Sequence, residues 1–98
     1  MITTEGRLAH ALELAMEDLE FMLDAASIDF DILDSPNINQ YIIAFAEGER
    51  CAYVTAELSL DDKPIVLVDI YSVDADGGEH WVCGYMSINA AVLYIADA

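Results

Sequence analysis

Cys51-Ala-Tyr-Val-Thr-Ala-Glu-Leu-Ser-Leu60 alternates with period two, the signature of a strand with one face against a core. Ala52, Val54, Ala56, Leu58 and Leu60 fall on one face; Tyr53, Thr55, Glu57 and Ser59 fall on the other. Downstream, Asp61-Asp-Lys-Pro64 is a turn. Ile65 to Val73 then runs apolar on both faces except at Asp69 and Ser72, which predicts an interior strand. Asp74-Ala-Asp-Gly-Gly78 supplies a hairpin turn, and Glu79 to Met86 a last strand. Upstream, Tyr41 to Ala46 reads as a strand joined through Glu47-Gly-Glu-Arg50. Asp34-Ser-Pro-Asn37 reads as a turn, and Ile28 to Ile32 as a short edge strand with Asp29 and Asp31 pointing outward.

Ahead of these strands, residues 4 to 26 predict one long helix. Thr3 or Thr4 can cap it, and Glu5 suits its first turn. Leu8, Leu12, Ala15, Leu19, Leu23 and Ala26 form an apolar stripe at helical spacing. Ser87 or Asn89 can cap a closing helix through Ile95 that is apolar nearly all round, hence buried or part of a homodimer contact. Short links between strands require antiparallel neighbours. The expected fold is α+β: a long N-terminal helix packed on a four- to five-stranded antiparallel meander, with a short C-terminal helix. A single domain is expected over residues 1–98, a length that suits one domain and not two.

Charge is the outlying property. Nineteen Asp and Glu face three Lys and Arg, for a formal net charge of −16, while 56% of the chain is hydrophobic. Such apolar content argues against disorder. A net charge of about 2–8 in magnitude keeps a small domain dispersed, and the excess costs stability through self-repulsion. Arg7, Arg50 and Lys63 cannot neutralise a run of phosphates, so direct nucleic-acid binding is excluded, and anionic membranes are disfavoured on the same ground. A basic protein partner is favoured. The other reading of the charge is a well-solvated surface, or an adaptation to high salt. The beginning of the sequence lacks the basic and apolar regions of a secretory signal, and no apolar run reaches the ~18 residues of a membrane span. Cytoplasmic residence with reduced thiols at Cys51 and Cys83 is therefore expected.

The acidic residues concentrate on the long helix. Glu13, Glu17, Glu20 and Asp24 fall within an arc of roughly 60°, along ~16 Å of axis. Like charges at this spacing repel by about 0.2–0.5 kcal/mol per pair, and no Lys or Arg is interleaved to relieve them. One reading is a docking strip for Arg and Lys; the other is a solvated helix face. Leu14 and Phe21 lie beside this ladder, either as interface anchors or under a sheet wide enough to wrap around to them.

Other chemistry finds little support. Asp74, Asp76 and Glu79 lack the ligand order of a calcium loop. His10, Cys51, His80 and Cys83 have no zinc spacing, and strict alternation would put His80 and Cys83 on opposite faces of their strand. No nucleophile elbow, phosphate loop or dinucleotide fingerprint occurs. No metal, cofactor or catalytic activity is expected. In size and acidity the chain is similar in kind to phage and mobile-element inhibitors of CRISPR complexes (anti-CRISPR proteins), to DNA-mimic proteins, and to immunity proteins of nuclease toxins. No motif ties it to one of these families. The expectation is a non-enzymatic inhibitor that occupies the basic nucleic-acid-binding surface of a partner protein or complex. Its partner-binding residues would be Glu13, Glu17, Glu20, Asp24, Asp29, Asp31, Phe21 and Leu14. The alternative is an acidic binding module such as a type III secretion chaperone, whose pattern places a helix between the third and fourth strands, or an immunity protein of a nuclease toxin.

Overall fold

In the computed structural model, which describes residues 3–33, 35, 37–45 and 49–96, helix α1 (Thr4–Ala25) precedes five strands and a closing helix. The strands are β1 (Phe30–Leu33), β2 (Gln40–Phe45), β3 (Arg50–Leu58), β4 (Pro64–Val73) and β5 (Glu79–Met86), and α2 spans Ile88–Ala96. All five strands join one sheet in chain order, each antiparallel to the next. This is the α+β arrangement expected from the sequence. The stretch 34–37 and the end of the segment at Ala46-Glu47-Gly48 include positions outside the described residues.

Thr3 starts α1 by accepting the Gly6 N–H on its hydroxyl at 3.0 Å. The end is a Schellman turn: Ser27 N–H donates to Asp24 O and Ile28 N–H to Leu23 O. Ser27 holds the left-handed conformation (φ 58) where glycine is the usual choice. Ala26 is thus a cap residue, exposed and off the apolar stripe where the helical spacing had put it. Met16 takes a place in that stripe, 5% exposed beside Leu12, Leu19 and Leu23. These side chains pack on Ile43, Ala52, Val54, Ala56, Val68 and Ile70. Full burial of each leucine or isoleucine contributes roughly 1.5–3 kcal/mol. Ser87 caps α2 through the Ala90 N–H, and Ala91 and Val92 insert into the same core. Both helices therefore sit on one face of the sheet, and no described element covers the other.

Three details depart from regular alternation. β3 ends at Leu58, so Leu60 sits in the turn and is fully exposed instead of continuing the core face. Asp29 precedes β1, whose first residue is Phe30. β5 carries two irregularities against β4: Tyr71 pairs with Trp81, Ile70 with Cys83 and Val68 with Met86. Val82 is extra in the first interval, and Gly84 and Tyr85 together face Asp69 in the second. The first irregularity shifts the phase of the strand. His80 pairs with Ser72 and Cys83 with Ile70, so both belong to the helix side and not to opposite faces.

Candidate functional site

The exposed surface of α1 is built by subtraction. With Leu12, Ala15, Met16, Leu19 and Leu23 turned into the core, the ~100° step per residue carries the ladder to the flank and Phe21 to the outermost line. Glu13, Glu17 and Asp24 are exposed, and Glu20 is partly so. Phe21 is 76% exposed and Leu14 52% exposed. The sheet does not wrap around to them, so that account of their apolar character is corrected. They lie two helical turns apart, with the ladder on one side and exposed Asp18 on the other. Asp18 completes the setting and was not singled out in the sequence. Its cue was its spacing, four residues after Leu14 and three before Phe21.

Cations near this surface are otherwise engaged or distant in the fold. Arg7, in the first turns of α1, donates to the Asp62 carbonyl at 2.8 Å and lies 3.7 Å from its carboxylate. An exposed pair of this kind is worth about 0–1 kcal/mol and ties α1 to the β3–β4 turn. A second polar contact between a basic and an acidic side chain joins His80 Nε2 to Asp74 Oδ2 at 2.9 Å. Neither touches the ladder. A shallow groove lined by Gly6, Arg7, His10, Ala11, Leu14 and Pro64 runs along the same end of the helix.

Asp29 and Asp31 are both exposed, but Asp31 does not share the ladder's surface. It pairs with Ala44, which in turn pairs with Cys51, on the face of the sheet away from α1. The predicted partner-binding residues thus divide between two sides of the molecule.

That second side brings together residues that no motif or spacing in the sequence links. Cys51, Tyr71 and Trp81 form one cross-strand row and Tyr53 and Asp69 the next. The Tyr53 and Tyr71 rings meet edge-on, with centroids 5.1 Å apart at 61°. Glu79 accepts hydrogen bonds from the Tyr53 hydroxyl at 2.6 Å and the Cys51 thiol at 3.1 Å. The Tyr53 bond first, then the Cys51 bond, hold the Glu79 carboxyl below its ordinary range. Burial and the Glu79 carboxylate push the Cys51 thiol up to about 12, which keeps it protonated and a poor nucleophile. Asp69 accepts the Tyr85 N–H at 3.2 Å. A Cβ at position 84 would collide with that Asp69 carboxylate and lie 2.9 Å from the Trp81 Nε1, so any larger residue there would have to displace one or both side chains. The sequence cue was Gly84 itself, since glycine inside a strand marks a bulge or a close approach.

Asp74 serves the β4–β5 hairpin. Its Oδ1 accepts the Asp76 and Gly78 N–H groups, and its Oδ2 meets His80 Nε2. The His80 contact, then the Gly78 N–H, hold its carboxyl below the usual value. His10, His80, Cys51 and Cys83 are spread over α1, the hairpin, the open face and the core side, and among the described residues no three His, Cys, Asp or Glu side chains gather around one point. Among the described residues no helix is long and apolar enough to cross a membrane. Compared with protein-family models, curated proteins and solved structures, the chain has no significant match to any of them.

Proposed function

We propose that this protein is a non-enzymatic acidic inhibitor that occupies the basic nucleic-acid-binding surface of a partner protein, in the manner of phage and mobile-element inhibitors such as anti-CRISPR and DNA-mimic proteins. The observation that carries this reading is the outer line of α1. An unrelieved ladder of Glu13, Glu17, Glu20 and Asp24 runs beside Phe21 and Leu14, two apolar side chains left in water. An exposed phenylalanine adds nothing to solubility, and Phe21 shares its line of the helix with a second exposed apolar residue, Leu14, two turns away. A docking helix needs both parts: carboxylates to attract and orient Arg and Lys, and apolar anchors at helical spacing to hold the complex. The net charge of −16 adds long-range attraction that speeds encounter and fades with salt. Against the secretion-chaperone alternative stands the direct β3–β4 link, where a turn closed by the Ser59–Lys63 backbone hydrogen bond leaves no room for a helix.

The test is capture of partners from a host lysate at low and high salt. A basic nucleic-acid-binding protein should be retained at low salt and released as salt rises. Glu17→Lys with Glu20→Lys should weaken that capture by tenfold or more while leaving the fold intact, because the change also relieves repulsion. Phe21→Ala should speed dissociation of the captured protein. Unchanged capture by the charge-reversed variant, or salt-insensitive capture of an unfolded effector peptide, would rule the reading out.

A further inference from the structure

The sheet face away from the helices combines aromatic rings with charge of a single sign. Tyr53, Tyr71 and Trp81 stand on it with Asp69 and Glu79, and Trp81 is 58% exposed. Among the described residues it carries no Lys or Arg. Arg50 pairs with Ser72 and so belongs to the helix side, Arg7 is held at Asp62, and Lys63 lies in the β3–β4 turn. Both carboxylates are fixed in place, Asp69 by the Tyr85 N–H and Glu79 by the Tyr53 hydroxyl and Cys51 thiol. The edge-on contact between Tyr53 and Tyr71 fixes two of the rings. Tyr85, beside Asp69, holds a left-handed backbone (φ 57) that costs a bulky residue energy and is retained at the bulge.

We propose that this open face is a docking surface for arginine side chains of a protein partner. Guanidinium groups would stack on Trp81 and Tyr71 and pair with Asp69 and Glu79. Arginine fits this chemistry better than lysine, because its plane lies flat on an aromatic ring while its fork engages a carboxylate. A second copy of this chain fits poorly. A two-fold interface must be self-complementary, and here it would bury Asp69 and Glu79 of each copy against a face that, among the described residues, offers no Lys or Arg to pair with them. The inference rests on the reading that the partner is basic and adds a second surface, on the far side of the sheet from the ladder. One molecule would then engage two basic patches.

Trp81 is the chain's single tryptophan, so its emission reports directly on this face. Hexa-arginine and hexa-lysine peptides, titrated into the intact protein at low salt, are the probes. Hexa-arginine should change Trp81 emission and bind several-fold tighter than hexa-lysine. Asp69→Asn with Glu79→Gln keeps acceptors for the existing hydrogen bonds and should weaken the arginine response about three- to tenfold. Glu17→Lys with Glu20→Lys should leave the arginine-over-lysine preference intact. Circular dichroism checks the fold, and Tyr71→Leu serves as the second face variant if the carboxamide pair does not fold. Equal response to the two peptides, or an arginine response that survives the face variant and disappears with the helix variant, would overturn this proposal. Salt-sensitive partner capture would still stand in that case, so the two readings fail separately. A protein dimer in sedimentation that is abolished by Trp81→Ser would assign the face to a second copy and overturn it as well.

Discussion

Both faces of the sheet are rich in apolar side chains, yet they have opposite fates. On the helix side Val54, Val68 and Ile70 are sealed at 0–1% exposure beneath Leu12, Leu19 and Leu23. One residue out of phase on the same strands, Ile65, Leu67 and Tyr71 share their face with Trp81 and have no described element above them. The difference lies in what the chain can supply as cover. Two helices suffice for one face of five strands, and a chain this short buries only part of its surface. An apolar residue in β4 therefore signals stability on one side and availability on the other.

The largest expected effect sets the two faces against each other. Leu19→Ala should cost about 2–5 kcal/mol in urea unfolding, because it leaves a cavity under α1 that the sheet cannot fill. Trp81→Ala, a larger truncation on the open face, should cost about 1 kcal/mol or less. Circular dichroism must follow both, since the second removes the fluorophore. A loss at Trp81 matching that at Leu19 would break the comparison and mean that something covers the open face in solution.

A smaller effect tests whether the open face is built or merely left over. Gly84→Ala forces a methyl group into the Asp69 carboxylate and toward the Trp81 indole. Asp69 must then move off the Tyr85 N–H it now accepts. Overpacking of this kind costs about 1–3 kcal/mol. Combined with Asp69→Ala, the loss should be well below the sum of the single losses, because the clash and the lost hydrogen bond share one cause. Strict additivity in thermal unfolding would mean that Gly84 and Asp69 do not meet.

These positions also mark how far the sequence reaches. α1 is legible because its stripe at Leu12, Leu19 and Leu23 repeats at 3.6 residues and Thr3 supplies a side-chain cap. The meander is legible from its turns, and the ladder from 100° arithmetic alone. Exposure of Leu14 and Phe21 is not, because it depends on how far the sheet wraps around the helix, a property of strand number and twist. The His80 and Cys83 faces are not legible either, since hydrogen-bond register and not alternation sets them once Val82 bulges. Period two sorts Tyr53 from Val54 but is silent on whether anything lies over either one.

The finest distinction concerns how firmly the open face holds its charge, and it appears as a pH dependence. Glu79 has a depressed folded-state pKa, chiefly through the Tyr53 hydroxyl, so its contribution is present above its ordinary 4.5 and is lost as pH falls through the lower folded value. Tyr53 is raised from 10.0 to about 12, first by its bond to Glu79, so its contribution is present below 10.0 and is lost as pH rises toward 12. Tyr53→Phe removes the bond and keeps the ring on Tyr71. At neutral pH it should cost up to about 1 kcal/mol, a small value because the pair is exposed. Urea unfolding across pH should show the gap between the protein and this variant narrowing below 4.5 and again above 10.0. A gap that stays flat across that range would mean that Glu79 swings free in water, and the open face would then present a diffuse anion in place of an oriented one.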